Sequence, residues 1–138
     1  MARWYRNLDP SALAQELDAA RRVGVAAVEV PSAAFDWLAA EGERMIYVVA
    51  GDRLLVSKRH VMGEDISHAV LADGGHVQAA GEFEVVEFGD VKVVTSLNNM
   101  SGHYRPGRES LDVAMEAFEE RGLRVLAGGV EQYDWHTP

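Results

Sequence analysis

Residues 45–58 have the sequence MIYVVAGDRLLVSK, and this stretch decides the fold. The segment Met45–Ala50 is apolar and rich in β-branched residues, which favour strands. Gly51-Asp52 suits a two-residue hairpin turn, and Arg53–Lys58 then returns as a second strand. The sequence therefore predicts an antiparallel hairpin that begins a sheet.

A second hairpin is predicted further along the chain. Residues 77–87 have the composition of a strand, Phe88-Gly89-Asp90 suits a turn, and residues 91–96 form the partner strand. Residues 123–126 are a candidate edge strand. We therefore expect an antiparallel sheet of about four to five strands, built from two hairpins.

Helices are predicted before and after these strands. Asp9-Pro10 has the pattern of an N-cap followed by proline and predicts the start of a first helix, which ends by Gly24. A second helix is expected over Ala33–Glu41, where Ser32 is the N-cap. After Pro106-Gly107, four apolar residues follow at the spacing i, i+3, i+4 and i+7: Leu111, Ala114, Met115 and Phe118. The predicted class is α+β, with the sheet packed against this C-terminal amphipathic helix and one or two N-terminal helices.

Length and composition fit one soluble domain over residues 1–138. No apolar run approaches the roughly 20 residues needed to span a bilayer, and no apolar stretch follows the basic start of the chain. We therefore expect a cytoplasmic protein without a membrane partner. Composition leaves the oligomeric state open, including a homo-oligomer.

The charge and the lack of cysteine narrow the chemistry. Without cysteine, the chain has no disulfides, no thiolate nucleophile and no cysteine-ligated metal site, which leaves oxygen and imidazole groups. A net charge of −9 opposes nonspecific binding to nucleic acid. No P-loop or dinucleotide fingerprint is present, so no cofactor is predicted.

The strongest candidate for a functional site is the loop at residues 101–106, SGHYRP. Ser101 and Gly102 can present backbone amide donors, and His103 belongs to the residue type that ordinarily titrates near neutral pH. Tyr104 can donate a hydrogen bond or stack, and Arg105 can bind a phosphate or carboxylate through two hydrogen bonds. The alternative interpretation of His103 is a structural histidine or a surface turn residue.

Three further residues are candidates for the same site. His68 lies between apolar residues, where burial can shift its pKa, and a satisfied core histidine is the alternative. Glu82 lies in a predicted strand, where it either faces solvent or orients one of the histidines. Lys58, beside Arg59, is a candidate for binding an anionic substrate.

The histidine spacing does not predict a metal site. His60, His68 and His76 are eight residues apart, which matches neither the i, i+4 spacing of a helical pair nor the i, i+2 spacing of a strand pair.

Several short motifs occur in a recognisable order: Ser67-His68, Ala80-Gly81-Glu82, and the SGHYRP loop with an amphipathic helix behind it. This order resembles the domain beside the IQ motif of plant IQ-motif calmodulin-binding proteins, and similar C-terminal modules of bacterial polymorphic toxins. The resemblance covers about residues 45–125. It implies functional roles at the matching positions, which are His68, Glu82, Ser101, His103 and Tyr104.

The chain departs from that pattern in two respects. Those proteins usually have a His-Ser pair where this chain has His68-Ala69, so a serine-dependent role there is not implied. The chain has no IQ motif, and calmodulin binding is not implied either. Toxin-linked modules are commonly enzymes that act on nucleotides, nucleic acid or proteins, which is an association only.

The sequence leaves two main functions open. The first is a small metal-independent enzyme in which His103 and His68 form an acid/base pair and Glu82 orients one imidazole. Its anionic substrate, such as a nucleotide, nucleic-acid or sugar-phosphate group, would be bound by Ser101, Tyr104, Arg105 and Lys58. The second is a non-catalytic module that binds a ligand or a protein, which includes an inhibitor or immunity-type protein; a structural subunit is a third.

Overall fold

The fold mixes helices with a large sheet, as the sequence predicted in outline. The structure, a computed structural model, describes residues 2–135. The helices are α1 (Leu13–Arg22), α2 (Ala33–Glu41), α3 (His68–Leu71) and α4 (Ser110–Glu120), with 3-10 turns at Pro10–Ala12 and Ala127–Gly129. No helix in this part of the chain is long and apolar enough to cross a membrane.

The strands number more than the four to five predicted, because the main sheet has seven. In chain order the strands are β1 (Val28–Glu29), β2 (Met45–Ala50), β3 (Arg53–Lys58), β4 (His60–Val61), β5 (Glu64–Asp65), β6 (Ala79–Phe88), β7 (Val91–Asn98), β8 (Arg124–Val125) and β9 (Val130–Glu131). The main sheet has the order β1-β3-β2-β6-β7-β8, and β9 also pairs with β7. The strands β4 and β5 form a small separate hairpin.

The additional strands lie at the two edges of the main sheet. In the order β1-β3-β2-β6-β7, neighbouring strands pair antiparallel, whereas β8 and β9 run parallel to β7. Each of the edge strands β1, β8 and β9 is only two residues long. Of these, β8 lies within the candidate edge strand at residues 123–126, whereas β9 is too short to carry a periodic pattern and was not predicted.

Helices cover both faces of the sheet. Side chains of β2 alternate between the faces, with Tyr47 on one side and Ile46 and Val48 on the other. The Tyr47 side packs against α2 and α4, where Phe118 of α4 meets the Tyr47 ring edge-on at a centroid distance of 5.6 Å. The opposite side packs against α1 and α3. Residues that share a face with Ile46 are therefore the ones that can reach α3.

One close approach between β6 and β7 lies next to the candidate site. A Cβ added to Gly81 would overlap the backbone carbonyl of Asn98 and would lie 3.0 Å from the Cα of Asn99. β7 ends at this point. The Asn98 side chain then replaces backbone as the hydrogen-bond partner of β6, because its Oδ1 accepts a hydrogen bond of 2.9 Å from the Glu82 amide. Gly81 is thus required for its lack of a side chain.

We expect Gly81→Ala to destabilise the protein by at least about 3 kcal/mol, because backbone on both strands must move to admit a methyl group. Gly102→Ala is the matched control, since an added Cβ there meets nothing within 4 Å. Urea unfolding of the two variants measures the difference. Equal stabilities would show that the two strands separate without cost.

Candidate functional site

A cleft of about 360 Å³ opens on the α1/α3 side of the sheet. Four of the seven predicted site residues line it: His68, Glu82, Ser101 and His103. His68 is the first residue of α3, Glu82 lies on β6, and Ser101 and His103 come from the loop that follows β7. Three separate segments of the chain therefore converge here.

His68 is buried and held by the backbone of β6. Its Nε2 lies 2.8 Å from the carbonyl oxygen of Gly81. Because a carbonyl only accepts, Nε2 carries the proton of the neutral ring and Nδ1 carries the lone pair. Burial lowers the pKa of His68 to about 4, although the hydrogen bond to the Gly81 carbonyl and the nearby Glu82 carboxylate favour the charged ring. His68 is therefore a neutral imidazole at pH 7.

Glu82 has a different role from the predicted one. Within residues 2–135 it makes no hydrogen bond to an imidazole; its Oε1 accepts from Arg44 at 2.9 Å and its Oε2 accepts from Arg59 at 2.7 Å. Arg44 donates a second hydrogen bond of 3.2 Å from its Nε, and Asn98 donates one of 3.2 Å. Burial alone would raise the pKa of Glu82, but the hydrogen bonds from Arg44, Asn98 and Arg59 hold it below its ordinary value. Glu82 anchors cations and does not orient a histidine.

The carboxylate that contacts an imidazole is Glu16 of α1. Its Oε2 lies 2.6 Å from Nε2 of His103, and both side chains are about one-fifth exposed. This close contact does not have the geometry of an aligned hydrogen bond. Sequence analysis missed Glu16, although one signal was present. It lies on the same helical stripe as Leu13 and Ala20, where a carboxylate is out of place on an apolar face.

Buried polar atoms without partners concentrate in this cleft. Within the described residues, six buried side-chain N and O atoms lack a hydrogen-bond partner. Three of the six are Glu16 Oε1, Ser67 Oγ and Ser101 Oγ, in residues that line the cleft; a fourth, His103 Nε2, has only the Glu16 contact. A buried polar atom without a partner costs about 1–3 kcal/mol, so these atoms are positions where water or a polar ligand would bind.

Lys58 does not reach the cleft, which corrects the prediction for this residue. The pleat of β3 places Lys58 on the face shared by Leu54 and Val56, which is the α2/α4 side. There its Nζ pairs with the carboxylates of Glu41 and Glu43. The cation that lines the cleft is the next residue, Arg59.

Tyr104 and Arg105 also lie outside the cleft. Tyr104 is buried, and its hydroxyl donates a hydrogen bond of 2.7 Å to the carbonyl oxygen of Gly75. Burial raises the pKa of Tyr104 to about 12, so this tyrosine holds the fold together and its hydroxyl is not available to a substrate. Arg105 is exposed and lies over the Trp135 ring, 5.7 Å from its centroid, on the other side of the loop.

The remaining histidines are apart from the cleft. His60 pairs with Asp65 across the small β4–β5 hairpin at 2.7 Å, and His76 lines a different groove. Within residues 2–135, no three His, Asp or Glu side chains are grouped so as to hold a metal ion.

Comparison with known proteins gives no relative for this chain. No protein-family model matches it, and neither the curated proteins nor the solved structures contain a significant match.

The buried state of His68 predicts a loss of stability in mild acid. The folded protein binds the proton with a pKa of about 4, whereas the unfolded chain binds it near 6.5, so the unfolded state takes up more protons between these values. The contribution of His68 to the free energy of unfolding is therefore complete above pH 6.5. It is lost as the pH drops towards 4, which lowers the free energy of unfolding by on the order of 3 kcal/mol. Urea unfolding at a series of pH values measures this slope.

His68→Gln should flatten that slope, because an amide can still donate to Gly81 but does not titrate. His60→Gln, which removes a histidine from an exposed hairpin, is the control. An unchanged slope in the His68 variant would assign the acid sensitivity to other groups.

Proposed function

We propose that the cleft is the active site of a small metal-independent enzyme that uses histidine acid/base catalysis on an anionic substrate, such as a nucleotide, a nucleic-acid group or a sugar phosphate. The observation that supports this most is the concentration of unpartnered buried polar atoms around two imidazoles in one cleft. A fold stabilised only by packing does not collect such atoms in one place.

The two imidazoles are held in different ways, which favours different roles. His68 is fixed at Nε2 by a backbone carbonyl, so its Nδ1 can only accept a proton or a hydrogen bond at neutral pH. His103 lies against the Glu16 carboxylate, which orients the ring. We assign the proton-donating step to His103 and the accepting position to His68.

Arg59 is the candidate for binding the anionic part of the substrate. Its Nε donates to Glu82, and a guanidinium has five N–H donors, so further donors remain for a ligand. Glu82 fixes Arg59 at the edge of the cleft and thereby positions it. The hydroxyls of Ser67 and Ser101 supply neutral hydrogen-bond partners beside it.

The resemblance of residues 45–125 to modules of bacterial polymorphic toxins supports the same proposal. Four of the five matching positions, His68, Glu82, Ser101 and His103, line the cleft, whereas Tyr104 does not. The association of such modules with enzymes is an analogy and does not specify the reaction.

His103→Gln should lower kcat by at least about 100-fold, because the amide can contact Glu16 but cannot transfer a proton. The test incubates the protein with nucleoside monophosphates and diphosphates, cyclic nucleotides and sugar phosphates, and follows product by chromatography. The melting temperature of the variant should stay within a few degrees of the wild type. His60→Gln should retain full activity.

Two results would contradict the proposal. Heat of binding without product for any compound would favour a non-catalytic binding module. Full turnover by both His103→Gln and His68→Gln would exclude the imidazoles from the chemistry. Should His103→Gln fail to fold, Glu16→Gln takes its place, with kcat expected to fall while KM changes little.

A further inference from the structure

A second groove, of about 770 Å³, lies on the other side of the residue 101–106 loop. Its walls are the N-terminal segment, the stretch from Tyr104 to Glu109, and residues 133–135. Trp135 lines both this groove and the cleft described above. The volume lies within the roughly 300–1,000 Å³ range of sites for small organic ligands.

The charge of this groove is opposite to that of the protein. The chain has a net charge of −9, yet the groove contains four arginines, Arg3, Arg6, Arg105 and Arg108, against the two carboxylates of Glu109 and Asp134. A concave surface of one sign concentrates counter-ions of the other sign. The groove is therefore suited to an anion.

The groove arginines are also unusual in lacking acidic partners. Of the 13 lysines and arginines, nine lie elsewhere, and seven of these nine pair with a carboxylate. In the groove only Arg108 does so, at 3.9 Å from Asp134, when partners are sought among residues 2–135. The guanidinium groups of Arg3, Arg6 and Arg105 therefore have no carboxylate partner among residues 2–135 and can bind an anionic ligand.

Aromatic rings stand among these arginines. Trp4 is 50% exposed and Tyr133 is 42% exposed, and both line the groove. Tyr133 packs edge-on against Trp135 at a centroid distance of 4.7 Å, which holds the pair in place. Exposed aromatic faces beside guanidinium groups match a ligand that has both a flat ring and phosphates.

Arg105 has an unusual backbone conformation and lies at the wall shared by the two cavities. Its φ of 46° lies in the left-handed region, which glycine and asparagine adopt more readily than arginine does. Its guanidinium lies over the Trp135 ring, at the wall common to both cavities.

We propose that this groove binds a nucleotide, with the base stacked on Trp4 or on the Tyr133 and Trp135 pair and the phosphates on the arginines. The inference concerns the groove alone and holds whether or not the cleft is catalytic. It names a ligand the size of a mononucleotide, since the volume of the groove is that of a site for one small organic ligand.

Calorimetric titration of the full chain with ADP, GDP, CDP and UDP tests this proposal. At least one nucleotide should bind with Kd below about 1 mM, more tightly than adenosine or pyrophosphate, with affinity that falls as salt rises. Arg105→Gln/Arg108→Gln should weaken binding by at least about tenfold. The matched control is Arg21→Gln/Arg124→Gln, which removes two exposed cations that have no carboxylate partner within residues 2–135 and should change Kd by less than about twofold.

Two further variants separate stacking from charge. At least one of Trp4→Ala and Tyr133→Ala should weaken nucleotide binding by about fivefold or more and leave pyrophosphate binding unchanged. The proposal is overturned if no nucleotide binds, if the control variant loses as much affinity as the groove variant, or if a ten-nucleotide single-stranded RNA binds at least about tenfold tighter than every mononucleotide. Turnover is not a readout here, so failure of the catalytic proposal leaves these results unaffected.

Discussion

The site depends on the close approach of the Asn98 carbonyl to the Cα of Gly81. Two strands with side chains at this point could not come so near. Once the backbones are close, the Asn98 side-chain oxygen accepts from the amides of Glu82 and Met100, and the Tyr47 hydroxyl donates to the Asn98 carbonyl from the core. Asn99 then fastens the loop, through hydrogen bonds to the backbone of Pro106 and Tyr133. The absence of a side chain at Gly81 therefore permits the contact from which the residue 101–106 loop is positioned.

That loop distributes its side chains between two cavities. His103 points towards α1 and meets Glu16, whereas Arg105, two residues later, lies over Trp135 beside the arginine groove. Between them, the buried Tyr104 ties the loop to the Gly75 carbonyl and keeps the two sides apart. The same strand that holds Gly81 near Asn98 also presents the Gly81 carbonyl to His68. One local constraint therefore positions both the cleft and one wall of the groove.

Local patterns were enough to predict much of the fold and part of the cleft. The helix at Ala33–Glu41 has the bounds expected from its Ser32 cap, whose Oγ accepts from the Phe35 amide. Of the two-residue strands beside β7, β8 lies within the candidate edge strand at residues 123–126, whereas β9 was not predicted, because it exists only through pairing with β7. The error at Lys58 came from treating neighbouring cations as one cluster, when the pleat sends Lys58 and Arg59 to different surroundings. Glu16 was missed because its partner is 87 positions away in the sequence, and only tertiary packing brings the two together.

The distribution of charge connects these observations. Most cations of this acidic chain are neutralised by nearby carboxylates, as Glu82 does for Arg44 and Arg59. The remaining negative charge repels anions from most of the surface, while the groove arginines without acidic partners attract them at one place. The long-range repulsion and the local attraction then favour the same result. An anion that is repelled elsewhere gives up no favourable interaction when it moves to the groove. A cationic groove on an acidic protein is therefore suited to attracting anions to a defined position.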